Sequence, residues 1–304
     1  MNKVPVLEIR LQIRELVMYK KILIATDGTS HSASAILEAT NMARKYGSAV
    51  YLLHVLSRII AIDPLGGSSV VITQQLQEST QKFLETFKGM AAEDGIMQFE
   101  TIVRQGELFY RTILDEAVSH QADLIMIGRR ESSFMKRLLF QSLTAQLLCY
   151  APCPVLIVPL AALIQWERIL LVVNGSRSSA AALAEALKIA KEHKSHLTAV
   201  VTTPGRSGSA GEDICRRIKA DAEQIGATVE TLQIAAKAAD EIARLAKEQD
   251  ADMIITGRPE ESVLKHIIQG SLPEQIIDRS LCSVLVVPGG AGPRTTTKTE
   301  QTIS

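Results

Sequence analysis

The sequence predicts an α/β protein built from two tandem copies of one Rossmann-like domain, each a five-stranded parallel sheet with helices on both faces. Three observations carry this. A chain of 304 residues is long enough for about two domains of ordinary size. Short apolar, β-branched runs alternate with stretches of helical periodicity, the pattern of a parallel sheet with right-handed crossovers. The pattern also repeats. KKILIATD at 20–27 matches ERILLVVN at 167–174, ADLIMIGRRE at 122–131 matches ADMIITGRPE at 251–260, and APCPVLIVP at 151–159 matches SLCSVLVVP at 280–288. The first pair lies 147 residues apart, as Asp27 and Asn174 do; the other two lie 129 apart, as Gly128 and Gly257 do. The second copy therefore lacks 18 residues, lost after the second strand, where copy one carries Ile59–Met90 and copy two only Thr203–Ala222.

Each element of copy one follows from its residues. Ile22–Thr26 suits a buried parallel strand. Ser30, Ser32 and Ser34 offer N-cap hydroxyls to a helix whose inner face is Ile36, Ala39 and Ala43. Val50–Val55 is the second strand, and Leu76, Phe83, Phe87 and Met90 mark an amphipathic helix. Phe99–Arg104 is the third strand, followed by a helical face of Phe109, Ile113 and Ala117. Leu124–Ile127 is an apolar strand ending at Gly128; Leu138–Leu148 is helical, and Val155–Val158 closes the domain. The boundaries are an N-terminal extension 1–18, domain one 19–159, linker 160–165, a shortened domain two 166–288, and a Gly/Thr-rich tail 289–304 expected to be disordered. In the extension, Leu7, Ile9, Leu11 and Ile13 alternate as an added edge strand would; an unused upstream start is the other reading.

Composition excludes some classes of function. Lys+Arg and Asp+Glu are equal at 33 each, which argues against a surface that binds nucleic acid by neutralising phosphates. No apolar run approaches the ~20 residues of a membrane span, and no secretory signal is visible, so a cytoplasmic protein is expected. Cys149, Cys153, Cys215 and Cys282 show neither Cys-x-x-Cys nor zinc-ligand spacing and read as reduced core thiols.

Open parallel sheets bind ligands beyond the carboxyl ends of their strands, where strand order reverses. Ala25-Thr26-Asp27-Gly28-Thr29 lies at such a place. Asp27 can accept from ribose hydroxyls or an adenine amino group, or it only caps the helix that follows. Gly128-Arg129-Arg130-Glu131, nine residues, then Gln141-Ser142 is the second segment, with backbone N–H groups to cradle phosphates. Arg129, Arg130, Lys136 and Arg137, with Arg258, Lys265 and His266 in copy two, either offset phosphate charge or line a solvated helix face.

These residues resemble the universal stress protein family: K-K-I-L-x-A-T-D-G-T-S at 20–30, L-L-H-V at 52–55, G-R-R at 128–130, K-R-L-L at 136–139 and A-P-C-P-V-L-I-V-P at 151–159. The resemblance implies the adenine nucleotide alpha hydrolase-like form of the Rossmann fold. It places Ala25, Asp27 and Val55 near adenine and ribose, and Ile127, Gly128, Arg130, Ser142 and Thr144 near the phosphates. The copy-two counterparts are Val172, Asn174, Thr202, Thr256, Gly257, Gly270 and Ser271. The family's nucleotide binders carry Gly-x-x-Gly, nine residues, Gly-Ser/Thr. Here Glu131 and Gln141 replace glycines in copy one; in copy two Asn174 replaces Asp, Glu260 a glycine and Pro273 a hydroxyl residue. A carboxylate 4 Å from a phosphate charge costs about 4 kcal/mol at an effective dielectric of 20. AMP is therefore easier to accommodate than ATP, and Mg²⁺ is expected only with ATP.

The family pairs its terminal strands across a dimer, so Val155–Val158 and Val284–Val287 are expected to pair within this chain as a pseudo-dimer, with a further homodimer possible. Three functions are weighed: a stress-response or regulatory protein binding AMP or ATP without substantial catalysis, a ligand-free dimerisation scaffold, and a weak ATPase. Against the last, there is no Ser-Gly-Gly-x-Asp-Ser or Gly-Lys-Ser/Thr loop and no paired carboxylate for Mg²⁺. His31, His54, His120, His193, His196 and His266 form no base–nucleophile set; His193 and His196, at a helix end and a strand start, read as surface.

Overall fold

A computed structural model describes residues 18–56, 59–62, 68–71, 74–129, 143–203, 209–235, 239–258 and 271–289. Copy one runs β1 (Lys21–Thr26), α1 (Ser30–Tyr46), β2 (Ala49–Leu56), β3 (Ile59–Ile62), β4 (Ser68–Val71), α2 (Gln74–Glu93), β5 (Phe99–Gln105), α3 (Phe109–Ser119), β6 (Leu124–Gly128), α4 (Leu143–Tyr150) and β7 (Val155–Val158). Copy two runs β8 (Arg168–Val173), α5 (Arg177–His193), β9 (His196–Thr203), α6 (Ser209–Gln224), β10 (Val229–Ala235), α7 (Ala239–Glu248), β11 (Met253–Gly257), α8 (Leu272–Arg279) and β12 (Ser283–Val287). The N-terminal extension up to residue 17, residues 138–142 of the expected helix and the tail from 290 lie outside the described residues.

Ten strands form one sheet in the order β10-β9-β8-β11-β12-β7-β6-β1-β2-β5. Each half contributes five parallel strands, as the sequence predicts, and the halves meet where β12 pairs antiparallel with β7. Successive side chains of β1 feed opposite faces. Ile22 and Ile24 join the core under α1 and α5, whereas Leu23 joins the core that Ile113, Leu147 and Ile276 build from α3, α4 and α8. All three are fully buried, which only a sheet covered on both sides allows.

The β3–β4 hairpin, with Ile59 opposite Val71, was not legible in the sequence. Its strands are four residues each, too short to show an alternation of period two. Copy two carries no equivalent among its described residues, and its α6 is 16 residues against 20 for α2. The helix starts also differ from expectation. Thr29, not a serine, is the N-cap of α1, and its side chain makes no cap hydrogen bond. Ser30, Ser32 and Ser34 fall inside the helix, where Ser32 Oγ donates to Thr29 O at 2.8 Å. In copy two Ser176 does cap α5, accepting from Ser179 N at 3.1 Å. On α3, Ile113 and Ala117 are buried but Phe109 is half-exposed at the sheet's end.

The duplication is visible in the hydrogen bonds. Asp123 accepts from Lys20 N and Lys21 N, and Asp252 from Trp166 N, Glu167 N and Arg168 N, so one carboxylate ties down the start of each first strand. Ser48 Oγ donates to Tyr19 O, and Ser195 Oγ to Trp166 O. The linker lies on α1, with Ala161 N donating to Ser34 Oγ at 3.0 Å and Ile164 N to Glu38 Oε2 at 3.3 Å.

Equivalent residues also touch each other, which marks a pseudo-two-fold axis. Leu156 faces Leu285 in the β7–β12 ladder. Tyr46 and His193, 147 residues apart, share a hydrogen bond of 3.2 Å. His193 is thus half-buried, where the sequence suggested a surface position. Its ring stacks on the buried Trp166 at 5.6 Å between centroids. Burial pushes its pKa down to about 4, and Lys45 adds to the effect. His196 is more than half exposed, as expected.

Two outcomes follow. Val286→Pro removes a donor from a strand paired on both sides and should cost at least the ~3 kcal/mol of a proline in a helix interior. Melting followed by probes in each half should fall for both; an unchanged transition in copy one would break the pseudo-dimer account. For His193, the folded pKa lies below the unfolded value of about 6.5. Between those values the unfolded chain takes up a proton that the folded chain refuses, so stability should fall as pH drops from about 7 to about 4. Melting against pH should show a shallower acid slope for His193→Phe than for wild type.

Candidate functional site

Strand order reverses between β1 and β6 in copy one and between β8 and β11 in copy two. The crevice at such a switch point opens at the carboxyl ends of the strands. The predicted residues of copy one converge there. Ala25 and Ile127 are register partners, Asp27 leaves the tip of β1, Gly128 ends β6, and Val55 follows His54, the partner of Thr26. In copy two Val172 and Thr256 are partners, with Asn174, Gly257 and Thr202 at the same edge. Thr144 lies in the first turn of α4, and Ser271 is the N-cap of α8. Arg130, Ser142 and Gly270, and Glu131, Gln141 and Glu260 with them, lie outside the described residues.

The turn after β1 is built by hydrogen bonds from its own residues. Asp27 Oδ1 accepts from Thr29 N at 3.0 Å and Thr29 Oγ1 at 2.6 Å. Gly28, at φ +76°, makes the reversal that a side chain would resist. Its N–H donates to Thr26 Oγ1, which in turn lies 2.7 Å from Ser32 Oγ. Copy two repeats the turn with Asn174 Oδ1 accepting from Ser176 N, but Val173 replaces Thr26. Asp27 itself is exposed at the mouth of the crevice.

Gly128 and Gly257 have a role independent of any ligand. A Cβ on Gly128 would lie 2.0 Å from the backbone oxygen of His31; one on Gly257 would lie 2.5 Å from the Ser178 carbonyl carbon. The first turn of α1 or α5 crosses directly over the strand tip, so only glycine fits.

The arginines after these glycines turn away from the crevice. Arg129 Nη1 donates to Ile277 O at 2.9 Å and to Ser280 O, at the end of α8 in the other half. Arg258 Nη2 donates to Ala151 O, just beyond α4. Neither lines a solvated helix face. Beside them Cys153 and Cys282 are held as thiols, their pKa values raised by burial to about 12 and about 11.

Three residues at the crevices were not singled out from the sequence. His54 lies beneath the β1–α1 turn, with its Cε1 3.6 Å from where a Gly28 Cβ would stand. Its Nδ1 is buried without a hydrogen-bond partner among the described residues, as is Nδ1 of His31. Burial lowers the His54 pKa, against the opposing pull of Asp27, so the ring is neutral at neutral pH. In copy two the corresponding residues are Val201 and Ser178. The third residue is Glu274. Its Oε2 accepts from both Ser271 N and Ser271 Oγ at 2.9 Å. A carboxylate from the chain itself therefore sits at the start of α8; the corresponding residue in copy one is Ala145. The signal was present as Ser-Leu-Pro-Glu, a capping box spelled out at 271–274.

Elsewhere among the described residues, an open hollow of about 330 Å³ borders Gly106, Leu108 and Thr112 at the same edge of the sheet. A cavity of about 140 Å³ opens at the opposite edge, near Ile169 and Thr198. In copy one that opposite place is filled by Tyr51 packed on His120, 4.3 Å between ring centroids.

Two doubly wound halves joined through their fifth strands define a two-domain protein of the Rossmann-like α/β class. A sequence profile of the Universal stress protein family matches residues 18–159 and again 165–288. The chain belongs to the universal stress protein family, in a tandem form. It is 34% identical over 143 residues to Universal stress protein MJ0531 of Methanocaldococcus jannaschii, a match covering 46% of this chain and 82% of that one. It is 32% identical over 149 residues to Universal stress protein YxiE of Bacillus subtilis, covering 46% of this chain and 99% of that one. The crystal structure of a universal stress protein from Archaeoglobus fulgidus superposes with a TM-score of 0.70 at 19% identity, covering 89% of this chain and 99% of that one.

Gly128→Ala should force α1 away from the tip of β6. A cost of about 1–3 kcal/mol is expected from overpacking of this kind, read as a lower denaturant midpoint. A midpoint equal to wild type would show that the approach of His31 relaxes freely.

Proposed function

We propose that this is a regulatory nucleotide-binding protein in which only copy one takes an adenine nucleotide. The observation that carries the reading is the difference between the two switch points. Copy one presents the Asp27 carboxylate and a neutral, half-buried His54 whose buried Nδ1 lacks a partner among the described residues. Copy two presents Asn174 and Val201, and its helix start is already satisfied by Glu274. A carboxylate suits the ribose hydroxyls, and a neutral imidazole can donate on one nitrogen and accept on the other. A phosphate at α8 would have to displace or repel the Glu274 carboxylate. Copy two then serves as scaffold rather than as a second binding site.

AMP is the favoured nucleotide, because fewer phosphates meet the Glu131 carboxylate that replaces a family glycine in copy one. Among the described residues no base–nucleophile pair supports turnover, and a cytoplasmic setting suits a chain whose Cys153 and Cys282 are held as thiols by burial. Calorimetry on the full chain should give one AMP per chain, bound more tightly than ATP. Asp27→Ala should weaken AMP by about 10–100-fold, the worth of a hydrogen bond to a charged group. Two equivalents per chain, or tighter binding of ATP, would contradict the reading; phosphate release from ATP would favour the weak ATPase.

A further inference from the structure

Each half reaches across to the end of the other's last helix. In copy one the crevice is bounded by the tip of β6 and by the start of α4, the helix that leads into the last strand. The far end of α4 packs on its own half through Leu147, Leu148 and Tyr150, and is gripped from the other half as well. Ala151, whose N–H closes the helix on Leu147 O at 2.9 Å, gives its carbonyl to the guanidinium of Arg258 in copy two. The mirror contact joins Arg129 to Ser280. Arg129 and Arg258 are repeat equivalents, as are Ala151 and Ser280, so one design appears twice about the axis.

The chemistry favours this grip. The last carbonyls of a helix have no partner inside it, and they form the negative end of its dipole. A guanidinium answers both needs. The grip also comes from a rigid base. Arg258 N donates to Val287 O at 2.8 Å, extending β11 beside β12, and Gly257 is pressed against the backbone of Ser178 and Ser179. The described part of α4, Leu143–Tyr150, is about two turns that run from the edge of the crevice to the gripped carbonyl. At roughly 12 Å long, it carries a tilt at one end through to the other.

We propose that Arg258 is a positioning residue for the nucleotide site of copy one, so that this site is completed by the half that binds nothing. The proposal rests on the reading that copy one takes an adenine nucleotide. Copy two has departed from copy one at Asn174 and Glu274 yet matches it at the Gly-Arg pair that reaches across.

The test uses the full chain, AMP calorimetry and amide hydrogen exchange. Arg258→Met should weaken AMP binding about tenfold, a loss of the size caused by removing an outer support of a metal ligand. Arg258→Lys, which keeps one donor and the charge, should recover part of the loss and serves if the methionine variant does not fold. Tyr46→Phe removes another hydrogen bond between the halves, well away from α4, and should leave AMP affinity within about twofold. Amides from Leu147 to Ala151 should exchange faster in the Arg258 variants and at the wild-type rate in Tyr46→Phe. Equal weakening by Arg258→Met and Tyr46→Phe would overturn the proposal, as would an Arg258→Met chain with normal affinity and normal exchange. If the wild-type chain binds no AMP, the nucleotide reading fails by itself, and the clamp on α4 stands or falls on the exchange result.

Discussion

The antiparallel pairing of β7 with β12 is the contact on which the rest depends. Both strands are apolar but for Ser283 at the start of β12, and every residue from Val155 to Val158 and from Val284 to Val287 is buried. In a separate domain each would be an open edge, with unpaired backbone groups beside an apolar surface. Pairing removes both edges at once and turns two five-stranded sheets into one of ten. It also sets the distance over which Arg129 and Arg258 reach, because each arginine starts from a strand adjacent to the shared pair. The grip of each half on the other's last helix therefore depends on a ladder that neither half can form alone.

Around that ladder the two halves have kept their framework and changed their fittings. Asp123 and Asp252 tie the first strands, Ser48 and Ser195 bond the preceding carbonyls, and Gly128 and Gly257 admit the crossing helix. These pairs match because each answers a steric or hydrogen-bonding demand of the fold itself. At the crevices the halves differ: Asp27 against Asn174, although both side-chain oxygens hold the same turn, His54 against Val201, and Ala145 against Glu274. A glycine at a strand tip in this architecture is thus evidence of packing first. The carboxylate and imidazole beside it are what set one crevice apart from the other.

The fold was legible in the sequence because its signals are local and repeated. Ile22–Thr26, Val50–Val55 and Leu124–Gly128 are apolar runs of strand length, and two anchors moving together at fixed spacing exposed the duplication. The pairing of the terminal strands followed from the family resemblance. Less could be read where short-range pattern is weak or long-range contact decides. The β3–β4 hairpin has strands too short for periodicity. The cap of α1 went to Thr29 because Asp27 had already fixed that residue's amide and hydroxyl. His193 read as surface because its burial comes from Trp166 and Tyr46, the latter in the other copy. Arg129 and Arg258 read as phosphate partners or as a solvated helix face because nothing in their neighbourhood along the chain reveals a helix end more than 100 residues away. At the crevices the backbone positions were foreseen, but the capping role of Glu274 was overlooked although its motif was in plain sight.

The contact between Tyr46 and His193 has a meaning that reaches back to how such a protein arises. On a true two-fold axis a residue meets its own copy, so a single choice must suit both sides: tyrosine against tyrosine, or imidazole against imidazole. A phenol facing an imidazole needs two sides that vary independently, as those of a covalently fused pair do. Fusion also makes the meeting of the halves a unimolecular event, governed by an effective concentration that dilution does not lower. The chain has exchanged the enforced equality of a homodimer for specialisation, while its joint no longer depends on how much of the protein is present.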